Sequence, residues 1–321
     1  MIINISFTAI SPDGPPQIPN RVPKLSRLGI QSMKTGKGFT LIELLVVIAI
    51  IGLLVAVILP ALKAAKIQAQ MVVCLANMNG LSKAYHAYTS ENNTFLINGD
   101  VPRYPGQQGM DLAALTNRPP FWVDAPQNEN YQYTGEPSGS DPPTLSDKQI
   151  GIMRGKLFPY VGDVSGYHCP GDLGRSLVPN SYGGQNNNPH PDNYPYRSYC
   201  ISDLLNGWRD DDRKVYKMTE IVSPSKKFVF LETTDSRGWI MGSWYFDTEN
   251  YSIDGLTMWH KKRSGFGYAD GHAEMYKWTY EVIIQNCQME SYSDYFTLYP
   301  DINHEDVQFL LSGYVPGLRE R

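Results

Sequence analysis

Cysteine is scarce in this chain, with 4 in 321 residues. No two of Cys74, Cys169, Cys200 and Cys287 form a CxxC pair or stand beside histidines at zinc-binding spacing, so the sequence predicts no metal site. A nucleophile elbow, a phosphate-binding loop and an HExxH pair are also missing, and no catalytic residue is assigned. A long basic block is absent and the net charge is −4, so nucleic acid is not an expected partner. What is abundant is aromatic: 21 tyrosines and 6 tryptophans, set among many Gly, Pro and Asn. That mixture predicts a loop-rich, β-containing domain rather than a helical bundle. The length suits one large domain or two small ones.

The amino-terminal quarter contradicts this polar picture. From Phe39 to Leu59 every residue is apolar except Thr40, Glu43 and Gly52. As a helix this run spans about 31 Å, the hydrocarbon thickness of a bilayer. Its many β-branched residues disfavour a helix in water, but lipid enforces one because backbone groups there must pair internally. A plain signal anchor, or a signal peptide removed after the run, would share this composition. Glu43 does not fit either. A carboxylate in a membrane helix costs roughly 2.5–3.5 kcal/mol near its centre, less near an interface, and points to a function with a partner.

Gly38-Phe39-Thr40-Leu41-Ile42-Glu43 resembles the cleavage motif of type IV prepilins and type II secretion pseudopilins. The resemblance implies cleavage by prepilin peptidase between Gly38 and Phe39 and N-methylation of the new amine on Phe39. Glu43 becomes the fifth mature residue, and Pro60 falls where many family members carry a helix-bending proline. In such proteins the glutamate pairs with the terminal amine of a neighbouring subunit. The residues explain why: either charge alone is costly in low dielectric, and together they attract. Residues 1–38 form the leader. Met33 to Gly38 is the usual short basic kind, and residues 1–32 read as an extension from a mis-called start, proline-rich and without apolar periodicity.

Beyond Pro60 the pattern turns amphipathic. Ile67, Met71, Cys74, Met78, Leu81, Tyr85 and Tyr88 recur every three or four residues, which predicts that the helix continues over 62–91 into a head domain at 92–321. His86 lies in this stretch and reads as a surface or packing residue. Residues 98–145 read as a long loop or insertion, and a short helix is predicted at Asp147–Val161. The phrase ending at Cys200 reads as an irregular loop, and in an exported domain a Cys169–Cys200 bridge is favoured among the three pairings that four cysteines allow, with Cys74 and Cys287 free or paired together. "KKFVFLETTD" and "GWIMGSWYFD" read as strands. "SGFGYADGHAEMYKW" reads as a hairpin with Asp270-Gly271 in a two-residue type I′ turn, placing Phe266, Tyr268, Ala273 and Met275 on one face. A short helix follows Trp278.

His260, nine residues and Asp270-Gly271 together resemble the processing-associated H-X9-DG domain found at the carboxyl end of many prepilin-type proteins. His260, Asp270 and His272 could bind a metal or act as an acid–base pair, but turn chemistry at Asp270-Gly271 and backbone bonding by His260 account for them better. The acidic stretches "WRDDDRK" and "DTENYSIDG" leave calcium as a possible ligand, though neither is an EF-hand loop.

These observations predict an α+β, pilin-like fold: a long helix whose first half, 39–61, spans the membrane, packed by its second half on an antiparallel sheet with a loop-rich insertion. The expected function is structural, a pilin-like or pseudopilin-like subunit and not an enzyme. Its expected partners are prepilin peptidase, other subunits, an inner-membrane assembly platform and lipid. The expected location is the bacterial inner membrane, single-pass, with the head in the periplasm or on an extracellular filament. Gly38 would carry processing, and Phe39, Glu43 and Pro60 assembly. A filament-tip module gripping polysaccharide through exposed aromatics is the alternative, and a membrane-tethered periplasmic enzyme using His260 and Asp270 is a third reading.

Overall fold

The computed structural model describes residues 39–101, 121–130, 132–134, 143–172, 196–207, 211–233, 243–247, 252–288, 295–297, 301–314 and 316–317. The leader, including Met33 and Gly38, lies outside them, as does most of the expected insertion. The chain divides into two units at Ala56/Val57.

Helix α1 (Leu41–Glu91) is 51 residues long and contains Pro60. From Leu41 to Lys66 every side chain is exposed, and the helix is long and apolar enough to cross a membrane. Its later part behaves differently. Cys74, Met78, Leu81, Tyr85 and Tyr88 are buried, a stripe at the three-to-four spacing of one helix face. Asn93 and Thr94, both at positive φ, end the helix.

The head is built on a four-stranded antiparallel sheet in the order β1-β2-β5-β6: β1 (Tyr199–Ile201), β2 (Phe228–Glu232), β5 (Arg263–Tyr268) and β6 (Ala273–Lys277). A β-bulge between Phe228 and Phe230 shifts the phase of β2. Phe228 thereby joins the core cluster of Phe266 and Trp278, while Phe230 joins that of Tyr85 and Trp122 on α1's side. Both faces of the sheet are therefore covered, and β2 is buried at all five positions. On the second face lie α4 (Glu281–Gln288) and α5 (Glu305–Tyr314), whose Ile283, Ile284, Val307, Leu310 and Tyr314 are buried with Trp244 and Phe246. A small antiparallel sheet in the order β3-β4-β7 joins β3 (Phe246–Asp247), β4 (Ser252–Asp254) and β7 (Tyr295–Thr297). Trp122, Trp244 and Trp278 are each 0–1% exposed, so these aromatics serve the core.

Three expectations need correction. The helix expected at Asp147–Val161 is two helices, α2 (Leu145–Arg154) and α3 (Phe158–Val161). The break falls at Gly155, where a Cβ would lie 2.1 Å from the Trp122 carbonyl oxygen. The loop expected up to Cys200 ends in a strand, β1. Of "GWIMGSWYFD", residues 238–242 lie outside the described residues, and the remainder contains the two-residue strand β3. The hairpin register is also shifted. Tyr268 N donates to His272 O and Gly271 N to Tyr268 O, with positive φ at Gly271 and not at Asp270, so the connection is the three-residue loop Ala269-Asp270-Gly271. Gly265 then opposes Met275, Phe266 opposes Glu274 and Gly267 opposes Ala273. One added residue in the loop moves every β6 side chain to the other face.

Candidate functional site: the amino-terminal segment and the helix seat

At the start of α1 the residues Thr40-Leu41-Ile42-Glu43 form a capping box. Thr40 N donates to Glu43 Oε2 at 2.9 Å, the Thr40 hydroxyl donates to the same oxygen at 2.8 Å, and Glu43 N donates to Thr40 Oγ1 at 3.3 Å. These bonds satisfy backbone donors that a helix start leaves orphaned. The signal T-x-x-E was present in the sequence, and reasoning about the lone acid passed over it. Around the box the apolar surface is bare: Phe39 is 73% exposed and Leu41 87%.

Further along α1 lies the seat on which the head holds it, and β5 makes it with glycines. A Cβ on Gly265 would lie 2.8 Å from Met78 Sδ, and one on Gly267 would lie 2.4 Å from Ser82 Oγ. The two glycines let helix and strand approach closely. The ends of the H-X9-DG segment reach the same helix. Asn79 Nδ2 donates to Gly271 O at 3.2 Å, with His86 beside that glycine. At the other end, His260 enters a buried cluster with Cys74.

That cluster contains Cys74 of α1, Cys169 of the loop after α3, Glu232 at the end of β2, and His260 before β5. The three partners of His260 are fully buried and it is 1% exposed. Cys74 Sγ donates to Glu232 Oε1 at 2.7 Å, Cys169 Sγ lies 3.1 Å from His260 Nε2, and that nitrogen lies 3.2 Å from Glu232 Oε1. Tyr199 donates its hydroxyl to Cys74 Sγ at 3.4 Å, Gly171 N to Cys169 Sγ at 3.3 Å, and Gly265 N to Glu232 Oε2 at 3.0 Å. The Cys169 loop is pinned to α1 by Gln70 Nε2, which donates to Pro170 O at 2.6 Å, and by Asn77 Nδ2, which donates to His168 O at 3.0 Å. A Cβ on Gly171 would lie 2.9 Å from the His260 ring, so a glycine is needed there.

Burial, reinforced by contact with Cys169 and Glu232, pushes the Cys74 thiol well up. Burial also opposes a Cys169 thiolate, but hydrogen bonds from Cys74 and His260 outweigh it and hold Cys169 below the ordinary thiol value. At His260, burial lowers the pKa, but its contacts with Cys169 and Glu232 win and raise it to about 10.

The expected Cys169–Cys200 bridge is overturned. No disulfide joins the four cysteines: Cys169 is turned to His260, and Cys200 lies in the opposite core with Leu204 and Phe228. His260, Asp270 and His272, weighed above as a metal or acid–base set, are separated: His260 is buried, while Asp270 and His272 pair with each other at 2.5 Å on the hairpin loop. Sequence reasoning missed the cluster because its members are 74, 169, 232 and 260, too dispersed for any spacing rule. Of the acidic stretches, Asp211 is taken up by Arg213, whose Nε and Nη2 donate to it at 2.8 and 2.5 Å.

Residues 33–59 match the prokaryotic N-terminal methylation motif. The type IV wide pilus major component PilA4 of Thermus thermophilus is 47% identical over 66 residues, which is 21% of this chain and 50% of that protein, so the chain spans half of that relative's length. The type II secretion system core protein G of Aeromonas hydrophila is 33% identical over 122 residues, 36% of this chain and 76% of the relative. Its counterpart in Pectobacterium carotovorum is 32% identical over 130 residues, 38% of this chain and 75% of the relative. No solved structure matches. The motif, the capped apolar helix and these relatives agree: the chain belongs to the prepilin-type family of pilins and type II secretion core G proteins.

Proposed function

We propose that this protein is a structural subunit, processed by prepilin peptidase between Gly38 and Phe39 and assembled through α1 into a pilus or pseudopilus. The observation that carries this reading is the methylation motif at 33–59 continuing into a helix whose side chains from Leu41 to Lys66 are all exposed. A surface of bare Leu, Ile and Val on that scale is unstable in water and needs lipid or other copies of the helix to cover it. Before assembly the chain is held in the inner membrane by this helix, with its head on the periplasmic side.

In this reading Glu43 has two tasks. Its Oε2 receives both Thr40 donors, which leaves Oε1 to receive the methylated Phe39 amine of an adjacent subunit. Cleavage does not disturb the capping box, because Thr40 follows the new first residue and keeps its amide. The likeness to a pilus component and to type II secretion core proteins supports a role as scaffold rather than enzyme.

The test is the intact mass and amino-terminal residue of the protein extracted from membranes. The expected result is a chain beginning with methylated Phe39. A chain that keeps residues 33–38, or one that begins after residue 60, overturns the proposal.

A further inference from the structure

Four side chains from distant parts of the sequence each aim one lone-pair atom at a common point. Cys74 Sγ, Cys169 Sγ, one carboxylate oxygen of Glu232 and one ring nitrogen of His260 all lie within 4.8 Å of one another, in a fully buried setting. We propose that this point is a closed structural zinc site joining α1 to the sheet.

The donor set favours that ion. Two sulfurs, an imidazole nitrogen and a carboxylate oxygen are the ligands zinc takes, whereas magnesium and calcium ask for oxygen alone. The spacing favours it as well. Zinc bonds of about 2.0–2.3 Å place ligand atoms about 3.3–3.8 Å apart along the edges of a tetrahedron. The three edges given by direct contacts are 2.7, 3.1 and 3.2 Å, so the two edges at His260 need to open by about 0.5 Å or less and the Cys74–Glu232 edge by about 0.8 Å to admit the ion. Three of the four ligands are also supported from behind: Tyr199 donates to Cys74, Gly171 N to Cys169 and Gly265 N to the second oxygen of Glu232, while His260 Nδ1 has no hydrogen-bond partner.

Two other uses of the same residues fit less well. In a cysteine–histidine nucleophile the acid holds the imidazole nitrogen that the thiol does not use. Here Cys169 and Glu232 both approach Nε2, while Nδ1 is buried without a hydrogen-bond partner. The cluster is also sealed from any substrate. A Cys74–Cys169 disulfide would leave Glu232 and His260 as a buried pair with their convergence unexplained. With four protein ligands and no open position, the zinc would be structural, and its binding energy would become folding energy for the head. The inference rests on the head alone and stands whether or not the chain forms filaments.

The experiment uses full-length protein extracted from membranes and purified without chelator. Elemental analysis is expected to find about one zinc per chain. Stripping with a chelator is expected to lower the melting temperature of the wild type by roughly 5 °C or more, and zinc restores it. Cobalt added to the stripped protein is expected to give the intense visible bands of a tetrahedral site and a thiolate-to-cobalt absorption. Cys74→Ser and Cys169→Ser should each weaken both features, and His260→Ala should lose the zinc. Should these variants misfold, alkylation of the wild type decides: both thiols protected with zinc and both modified after stripping. Stripped protein that takes up neither zinc nor cobalt, a Cys74–Cys169 disulfide in non-reducing peptide maps, or metal retained unchanged in both cysteine variants would each overturn the proposal.

Discussion

Glu43 shows how one side chain can serve its own helix and a neighbour's at once. The capping box accounts for its position relative to Thr40, but a neutral glutamine completes such a box equally well, so capping does not require the charge. The two contributions can therefore be separated. Glu43→Gln should retain the helix start and membrane insertion yet fail to assemble, as Glu43→Val should, whereas Thr40→Ala should weaken the cap by about 1 kcal/mol and still assemble. Filament or pseudopilus yield, measured beside membrane-fraction content, reads the difference. Wild-type yield from Glu43→Gln would reduce Glu43 to a cap. Gly267 is the second residue whose identity the structure explains. Gly267→Ala places a methyl group 2.4 Å from Ser82 Oγ, and overpacking of this kind costs about 1–3 kcal/mol. Ser82→Ala in the same chain should recover part of that loss in thermal or denaturant unfolding, because the two sites are in direct contact. Equal losses in the single and double variants would show that the seat on β5 is looser than its geometry implies.

At the scale of elements, the β5–β6 hairpin reveals what pattern reading can and cannot supply. The alternation around Phe266 and Tyr268 was legible, and so was a turn at Asp270-Gly271. Loop length was not, because a two-residue type I′ turn and a three-residue loop with a left-handed glycine place similar demands on the same dipeptide. The helix resolves the ambiguity: only with Gly265 and Gly267 on its side can α1 lie this close. The loop also pairs Asp270 with His272. Partial burial pushes the Asp270 carboxyl up, but hydrogen bonds from His272 outweigh it and hold the carboxyl below its usual range. With the folded value below the unfolded one, the pair stabilises the protein above the usual aspartate range. That contribution disappears as pH falls through the depressed folded value. Asp270→Asn should therefore melt below wild type at neutral pH and converge with it in acid, in melting curves run across that range. A constant offset at every pH would show that the turn, not the charge, sets the difference. Helix α1 is legible along its length: an all-apolar run requires lipid or protein around it, and a single apolar stripe requires a core on one side.

For the whole molecule, the strongest consequence is membrane retention. With every side chain from Leu41 to Lys66 exposed, the chain should stay with the membrane pellet under alkaline carbonate extraction, and release into the supernatant would remove the anchor reading. The head is a three-layer arrangement, α1 on one face of the four-stranded sheet and α4 and α5 on the other. Among the described residues, the aromatic content that invited a surface-binding reading goes largely into those two cores. Trp122 stacks with Tyr167 at 5.9 Å between ring centroids on one side, and Trp244 meets Tyr314 at 5.5 Å on the other.

The sequence by itself determined the processing motif, the membrane-length helix, the amphipathic stripe and the antiparallel character of the head. Each is a local pattern, set by neighbours within a turn of helix or along one strand. The cluster of Cys74, Cys169, Glu232 and His260 was decided only by the tertiary structure, as were the placement of Cys169 and Cys200 in opposite cores and the glycine seat under α1. These depend on which distant segments the sheet order brings face to face, and on a bulge and a loop length that set which side each residue takes, so no spacing along the chain encodes them.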